Sequence, residues 1–161
     1  MDLYVYFDFS KKGDNLIVAA VGMESAASFI PKIKKVEVIE YSGCNQYEMV
    51  LYALDNALNM LRQYKVEGNV FLHHQNSILV SWLEKLECSA AYINQFYSCI
   101  SKFEDLAVYC DFRIHTIEAK QNIAKKFCKS ELIPKSPTQY RQLTFEVKQP
   151  ESGKVIKFMS K

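Results

Sequence analysis

A change of hydrophobic rhythm near residue 45 constrains this chain more than any other feature. Before it, apolar residues come in short β-branched and aromatic runs; after it, they recur every three or four positions. Leu3-Tyr4-Val5-Tyr6-Phe7-Asp8-Phe9 reads as a strand buried on at least one face. Lys11-Lys12-Gly13-Asp14-Asn15 is a turn signal, and Leu16 to Val21 form a second strand, so the two make a hairpin. Beyond a looser stretch around Pro31, Val36-Glu37-Val38-Ile39-Glu40-Tyr41 alternates with period two and predicts a third strand with one wet face. Val50, Ala53, Leu54, Ala57, Leu58 and Leu61 then share one face of a helix from about Gln46 to Tyr64, which Gly68 stops.

The second half alternates strand and helix. Val70-Phe71-Leu72 is a short strand, followed by polar His73-His74-Gln75-Asn76 and a helix holding Ile78, Leu79, Trp82 and Leu83. A helix over about Ala90–Phe103, a strand over Val108–Ile117 and a helix over about Lys120–Lys129 complete the order β-β-β-α-β-α-α-β-α. Strands joined by short turns pair antiparallel, whereas strands separated by helices join in parallel through right-handed crossovers. The expected fold is α/β, a mixed five-stranded sheet flanked by helices. Residues 1–130 form the domain; 131–140, with Pro134 and Pro137, form a linker. Residues 141–161 form an appended β-hairpin around Pro150 to Gly153.

Composition excludes several classes. At 49% hydrophobic and 24% charged, the 161 residues match globular chains rather than disordered or repetitive ones. No stretch approaches the roughly 18 uninterrupted apolar residues of a membrane span, and Met1-Asp2-Leu3-Tyr4 lacks the basic-then-apolar layout of a leader. Five cysteines without a C-x-x-C pair signal neither a disulfide frame nor a zinc site, and point to small buried thiols in a cytoplasmic protein. Charge is uneven. Residues 1–118 hold 10 Lys+Arg against 15 Asp+Glu, a balance of −5; residues 119–161 hold 10 against 3, a balance of +7. Such a split reads either as a face for nucleic acid or an acidic partner, or as a solvated helix and hairpin.

Four places could carry chemistry. Asp8 is a carboxylate among Tyr6, Phe7 and Phe9; it reads as a metal ligand or catalytic acid, or as a strand-end residue capping the turn with Ser10 and Lys11. Glu48 lies three residues after Asn45, and the pair also reads as a helix cap with a first-turn acid. His73 and His74 follow a parallel strand, where ligands bind in such sheets, and on extended backbone they face opposite ways. His115, Glu118 and the lysines at 120, 125, 126 and 129 form the last group.

Together these elements resemble the ribonuclease H family over residues 3–129. Asp8-Phe9-Ser10, ending the first strand before a hairpin, is similar to the family's D-G-S, whose Asp is a metal ligand. Gly43-Cys44-Asn45-Gln46-Tyr47-Glu48-Met49-Val50-Leu51-Tyr52-Ala53-Leu54 is similar to its T-N-N-x-x-E-L helix start, whose Glu is the second ligand. The family's third carboxylate, in a T-D-S, aligns with His74, and its fourth aligns with Lys125 or Lys126. His115 stands near its flexible histidine. Two metals about 3.5–4 Å apart need several carboxylates. Keeping two of four and adding one ammonium changes the nominal ligand charge from −4 to −1. The resemblance thus implies a remnant site of Asp8, Glu48 and His74, with Asp8 and Glu48 the metal ligands if any metal binds. Sugar and phosphate contacts fall to Ser10, Asn45, Gln46, Asn76, Lys125 and Lys126.

Three functions follow from it. The first is a pseudoenzyme that binds RNA, an RNA–DNA hybrid or another nucleic acid, without a cofactor. The second is a divergent nuclease using magnesium or manganese, with His74 and Glu118 or Asp111 as substitute ligands. The third is a protein-interaction module or inhibitor, with the C-terminal hairpin as homodimer or partner surface and no membrane contact.

Overall fold

Ladder pairing of Ser10, Lys11 and Lys12 with Ile17, Leu16 and Asn15 carries the opening strand, β1 (Asp2–Lys12), past its expected end at Phe9. The computed structural model describes residues 2–25, 27–28, 30–40 and 45–130; Cys44, the expected linker and the expected C-terminal hairpin lie outside the described residues. The turn after β1 is Gly13-Asp14, with Gly13 at φ +61°, a left-handed conformation that costs glycine nothing. β2 (Asn15–Met23) returns antiparallel, placing Asp8 opposite Ala19 and Ser10 opposite Ile17. This corrects one reading of Asp8: Asp8, Ser10 and Lys11 are all ladder residues, and none of them forms the turn. β3 (Ile33–Glu40) pairs antiparallel with β2 and starts before the alternating run, because Ile33, Lys34 and Lys35 continue the ladder opposite Gly22, Val21 and Ala20.

Asn45 caps α1 (Gln46–Gln63): its Oδ1 accepts the N–H groups of Tyr47 and Glu48 at 3.0 and 3.1 Å, and Glu48 supplies the first-turn acid that suits the helix dipole. α1 ends at Gln63, before Gly68. Gly68 instead opens β4 (Gly68–His74) at φ +108°. β4 runs parallel to β1 and includes both His73 and His74. α2 (Ser77–Lys85), a 3-10 turn (Ala90–Tyr92) and α3 (Ile93–Leu106) lead to β5 (Cys110–Thr116), parallel to β4. The last expected helix is broken. A 3-10 turn (Ala119–Gln121) precedes α4 (Ala124–Ser130), because Asn122 is extended and its side chain takes the Ala124 N–H at 3.1 Å.

The strand order β3-β2-β1-β4-β5, three antiparallel strands followed by parallel ones, is the sheet that the resemblance implies. One face carries Leu3, Val5 and Phe7 against the apolar stripes of α1 and α3, including Leu54, Leu58 and Phe96. Each such side chain contributes about 1.5–3 kcal/mol when buried. A smaller cluster on the other face, Ile17, Ala19, Val38 and Cys128, seats α4. Cys99, Cys110 and Cys128 are buried; burial pushes the Cys128 thiol up to about 12, which makes it a packing group rather than a nucleophile. Between α1 and α3, the Lys102 ammonium pairs with buried Asp55 and bonds Asn59 Oδ1 at 3.0 Å.

Candidate functional site

β1 and β4 run parallel, so their carboxyl ends open side by side, and α1, α2 and α4 close the gap. The resulting cleft, about 410 Å³, is lined by Asp8 and Phe9, by His74 to Asn76, by Gln46 and Tyr47, and by Lys125. Another cavity, about 430 Å³ beside β5, is lined mainly by apolar side chains such as Leu83, Phe103 and Phe112. Among the described residues, the cleft at Asp8 is the one that gathers a carboxylate, an imidazole, an ammonium and amides; the cavity beside β5 also holds Glu84, Arg113 and His115.

Asp8 is buried, and each of its oxygens accepts a hydrogen bond. Oδ1 accepts the Phe9 N–H at 2.9 Å, and Oδ2 accepts Gln75 Nε2 at 3.3 Å. Burial alone pushes this carboxyl up. The pull of His74, the Phe9 N–H and the Lys125 charge together is larger and holds it below the ordinary carboxylate range.

His74 is stacked on Phe7 with ring centroids 4.8 Å apart, and it is almost fully buried. The Asn76 N–H donates to its Nδ1 at 2.9 Å, so that nitrogen must hold a lone pair. In the neutral ring the proton therefore sits on Nε2, 3.7 Å from Asp8 Oδ1 and beyond hydrogen-bond length. Nε2 has no hydrogen-bond partner among the described residues. A protonated Nε2 can donate to an anion but cannot ligate a cation.

Lys125 enters from α4. Its Nζ donates to the Phe9 carbonyl at 2.5 Å and lies 5.3 Å above the Phe9 ring. Asn122 fixes the approach of this helix. Buried itself, it donates from Nδ2 to Phe7 O at 2.9 Å and to Gln75 Oε1 at 2.7 Å, while Oδ1 holds Ala124.

The predicted site residues divide. Asp8, His74, Asn76, Gln46 and Lys125 share the cleft. Of the two lysines left open by sequence, Lys125 lines it, and the exposed Lys126 stands over the Phe127 ring at 5.3 Å. Glu48 is half-buried in the first turn of α1 and is not among the lining residues, and neither is Ser10. Asn45 sits at the rim, its Oδ1 committed to capping and its Nδ2 donating to Tyr92 Oη at 2.7 Å. Asn76 likewise caps α2 through Oδ1. His115 and Asp111 lie on β5, and Glu118 caps the 3-10 turn and pairs with Lys120 at 3.2 Å. Sequence reasoning missed Gln75 and Asn122 as site residues. The available signal was two amides, each just before a helix start.

The fold has solved counterparts. The chain is similar to ribonuclease H1 from the halophilic archaeon Halobacterium salinarum, with a TM-score of 0.62 and 14% identity over 81% of this chain and 100% of that one. It is similar to the N-terminal RNase H domain of a Mycobacterium tuberculosis protein, with a TM-score of 0.58 and 10% identity over 81% and 98%. It is also similar to LC11-RNase H1 solved in complex with an RNA/DNA hybrid, with a TM-score of 0.54 and 16% identity over 77% and 91%. No protein-family model and no curated protein sequence matches the chain. The likeness is one of architecture: the chain has a ribonuclease H-like fold.

Proposed function

We propose that this chain binds RNA or an RNA–DNA hybrid in the cleft at Asp8 and does not cleave it. The observation that carries the reading is the Lys125 ammonium, held at the Phe9 carbonyl beside the one carboxylate of the cleft. A lysine there attracts a phosphate and repels a divalent cation.

A pair of hard cations does not fit this donor set. Such a pair needs convergent, free oxygen lone pairs. Asp8 is the one carboxylate lining the cleft, each of its oxygens already accepts a hydrogen bond, and His74 turns a proton toward it. Among the described residues, no three His, Cys, Asp or Glu side chains gather as metal ligands. If magnesium or manganese entered, Asp8 would hold it, with Glu48 as the second ligand that the resemblance implies.

The binding side of the site is better supplied. Gln46 and Asn76 line the cleft with amides of the kind that read sugar hydroxyls in a shallow minor groove. A structural neighbour solved with an RNA/DNA hybrid makes that duplex the first ligand to test. Titration of a labelled hybrid with magnesium or manganese present, followed by a denaturing gel of the same samples, checks both parts. The expected result is binding that weakens steeply with salt and leaves the substrate intact. Cleavage that Asp8→Asn abolishes would overturn the non-catalytic part; salt-indifferent or absent binding would overturn the rest.

A further inference from the structure

The sheet face that carries Tyr4 and Tyr6 is built in cross-strand rows. Pairing aligns Tyr4 with Phe71 and Phe71 with Arg113, and it aligns Tyr6 with His73 and His73 with His115. The side chains follow the register. Tyr4 stacks on Phe71 at 5.0 Å and 14°, and the Arg113 guanidinium lies 5.9 Å from the Phe71 ring. Tyr6 stacks on His73 at 4.5 Å and 16°, and His73 on His115 at 5.9 Å and 29°. Each row begins half-buried on β1 and ends exposed on β5, an edge strand.

Both rows therefore end in a planar, nitrogen-rich group whose inner neighbour already orients it. The two ends stand one strand repeat apart, about 7 Å. The next row along, Asp2 with Asn69 and Asp111, ends in a carboxylate and bounds the patch. Charges alone would suffice to keep an edge strand from pairing with other strands. Stacked rows closed by Arg and His do more, since guanidinium and imidazole planes are surfaces on which unpaired bases stack. A duplex hides its base faces; a single strand presents them.

We propose that the outer ends of these rows form a second nucleic-acid contact, in which two bases of a single strand stack on Arg113 and His115. This contact lies outside the cleft at Asp8 and does not depend on the reading given to that cleft. A single-stranded flank beside a bound duplex, or a free single strand, is the ligand class it fits.

The test uses the full chain and two probes: a fluorescein-labelled decauridylate, and an abasic oligomer of equal length and charge. Wild type is expected to bind the decauridylate at least about tenfold more tightly, the scale of one stacked base. The pair Arg113→Lys and His115→Lys keeps the charge at 113, adds one at 115 and removes both planes, so it should erase that preference without weakening abasic binding. Lys125→Gln should leave the preference intact, which separates this contact from the cleft. Equal binding of both probes by wild type overturns the proposal without any variant. So does an unchanged preference in the double-lysine chain, or a wild-type dimer that the substitutions split in sedimentation, which would assign the face to a second copy.

Discussion

Asn122→Ala is the perturbation that ties the fold to the cleft. The side chain is 3% exposed and satisfies Phe7 O, Gln75 Oε1 and the Ala124 N–H. Removing it strands two buried backbone groups, since Ala124 is fully buried and Phe7 lies in the central strand. Each orphaned group costs about 1–3 kcal/mol, whereas the half-buried Gln75 can turn toward water. The loss should be about 3 kcal/mol. With a urea slope of roughly 1.5–2 kcal/mol per molar, the unfolding midpoint should fall by about 1.5–2 M, followed by far-UV circular dichroism. Hybrid affinity should fall in the folded variant as well, because α4 then presents Lys125 without its anchor. A midpoint shift under about 0.3 M would refute the reasoning, since it would mean that Asn122 does not hold α4 to β1.

Three further outcomes follow from the same geometry. Asp8→Asn removes a negative charge from a phosphate-facing cleft while keeping shape and an acceptor for Phe9; hybrid affinity should rise roughly two- to fivefold, and a decrease in a binding titration would contradict the phosphate role of Lys125. Because the Asp8 carboxyl is held below its ordinary value in the folded chain, its stabilisation is full above about pH 3.9 and is lost as pH falls through the lower folded value. Urea midpoints taken downward from pH 5 should therefore fall more steeply for wild type than for Asp8→Asn, and parallel curves would count against it. Lys102→Ala leaves the Asp55 charge buried beneath α3; with the Lys102 side chain 23% exposed, water softens the loss to about 2 kcal/mol, which a thermal melt would register.

The architecture was legible because hydrophobic period reports it directly. Val36 to Glu40 alternates as a strand beside solvent, and Val50 to Leu61 recurs as a helix on a sheet, whatever lies further along the chain. Errors came where side chains override local pattern. Asn122 breaks the last helix with its own amide, and ladder pairing carries β1 beyond Phe9 to Lys12. In the cleft, Asp8 and His74 stood out because a carboxylate and an imidazole are misplaced in apolar strands. Gln75 and Asn122 did not stand out. Their partners lie 67 and 115 residues away along the chain, and only the crossover of the sheet joins them. The choice between Lys125 and Lys126 rests on the phase of a short helix, which the break at Asn122 sets and no periodicity reveals.

Salt dependence of hybrid binding in wild type and Lys125→Gln tests the central claim most directly. If the Lys125 ammonium takes a backbone phosphate where a cation would otherwise sit, the slope of log affinity against log salt should shrink by about one in the variant, without change in magnesium. An identical slope in the two chains would mean that no phosphate reaches Lys125, and the binding role assigned to the cleft would fall.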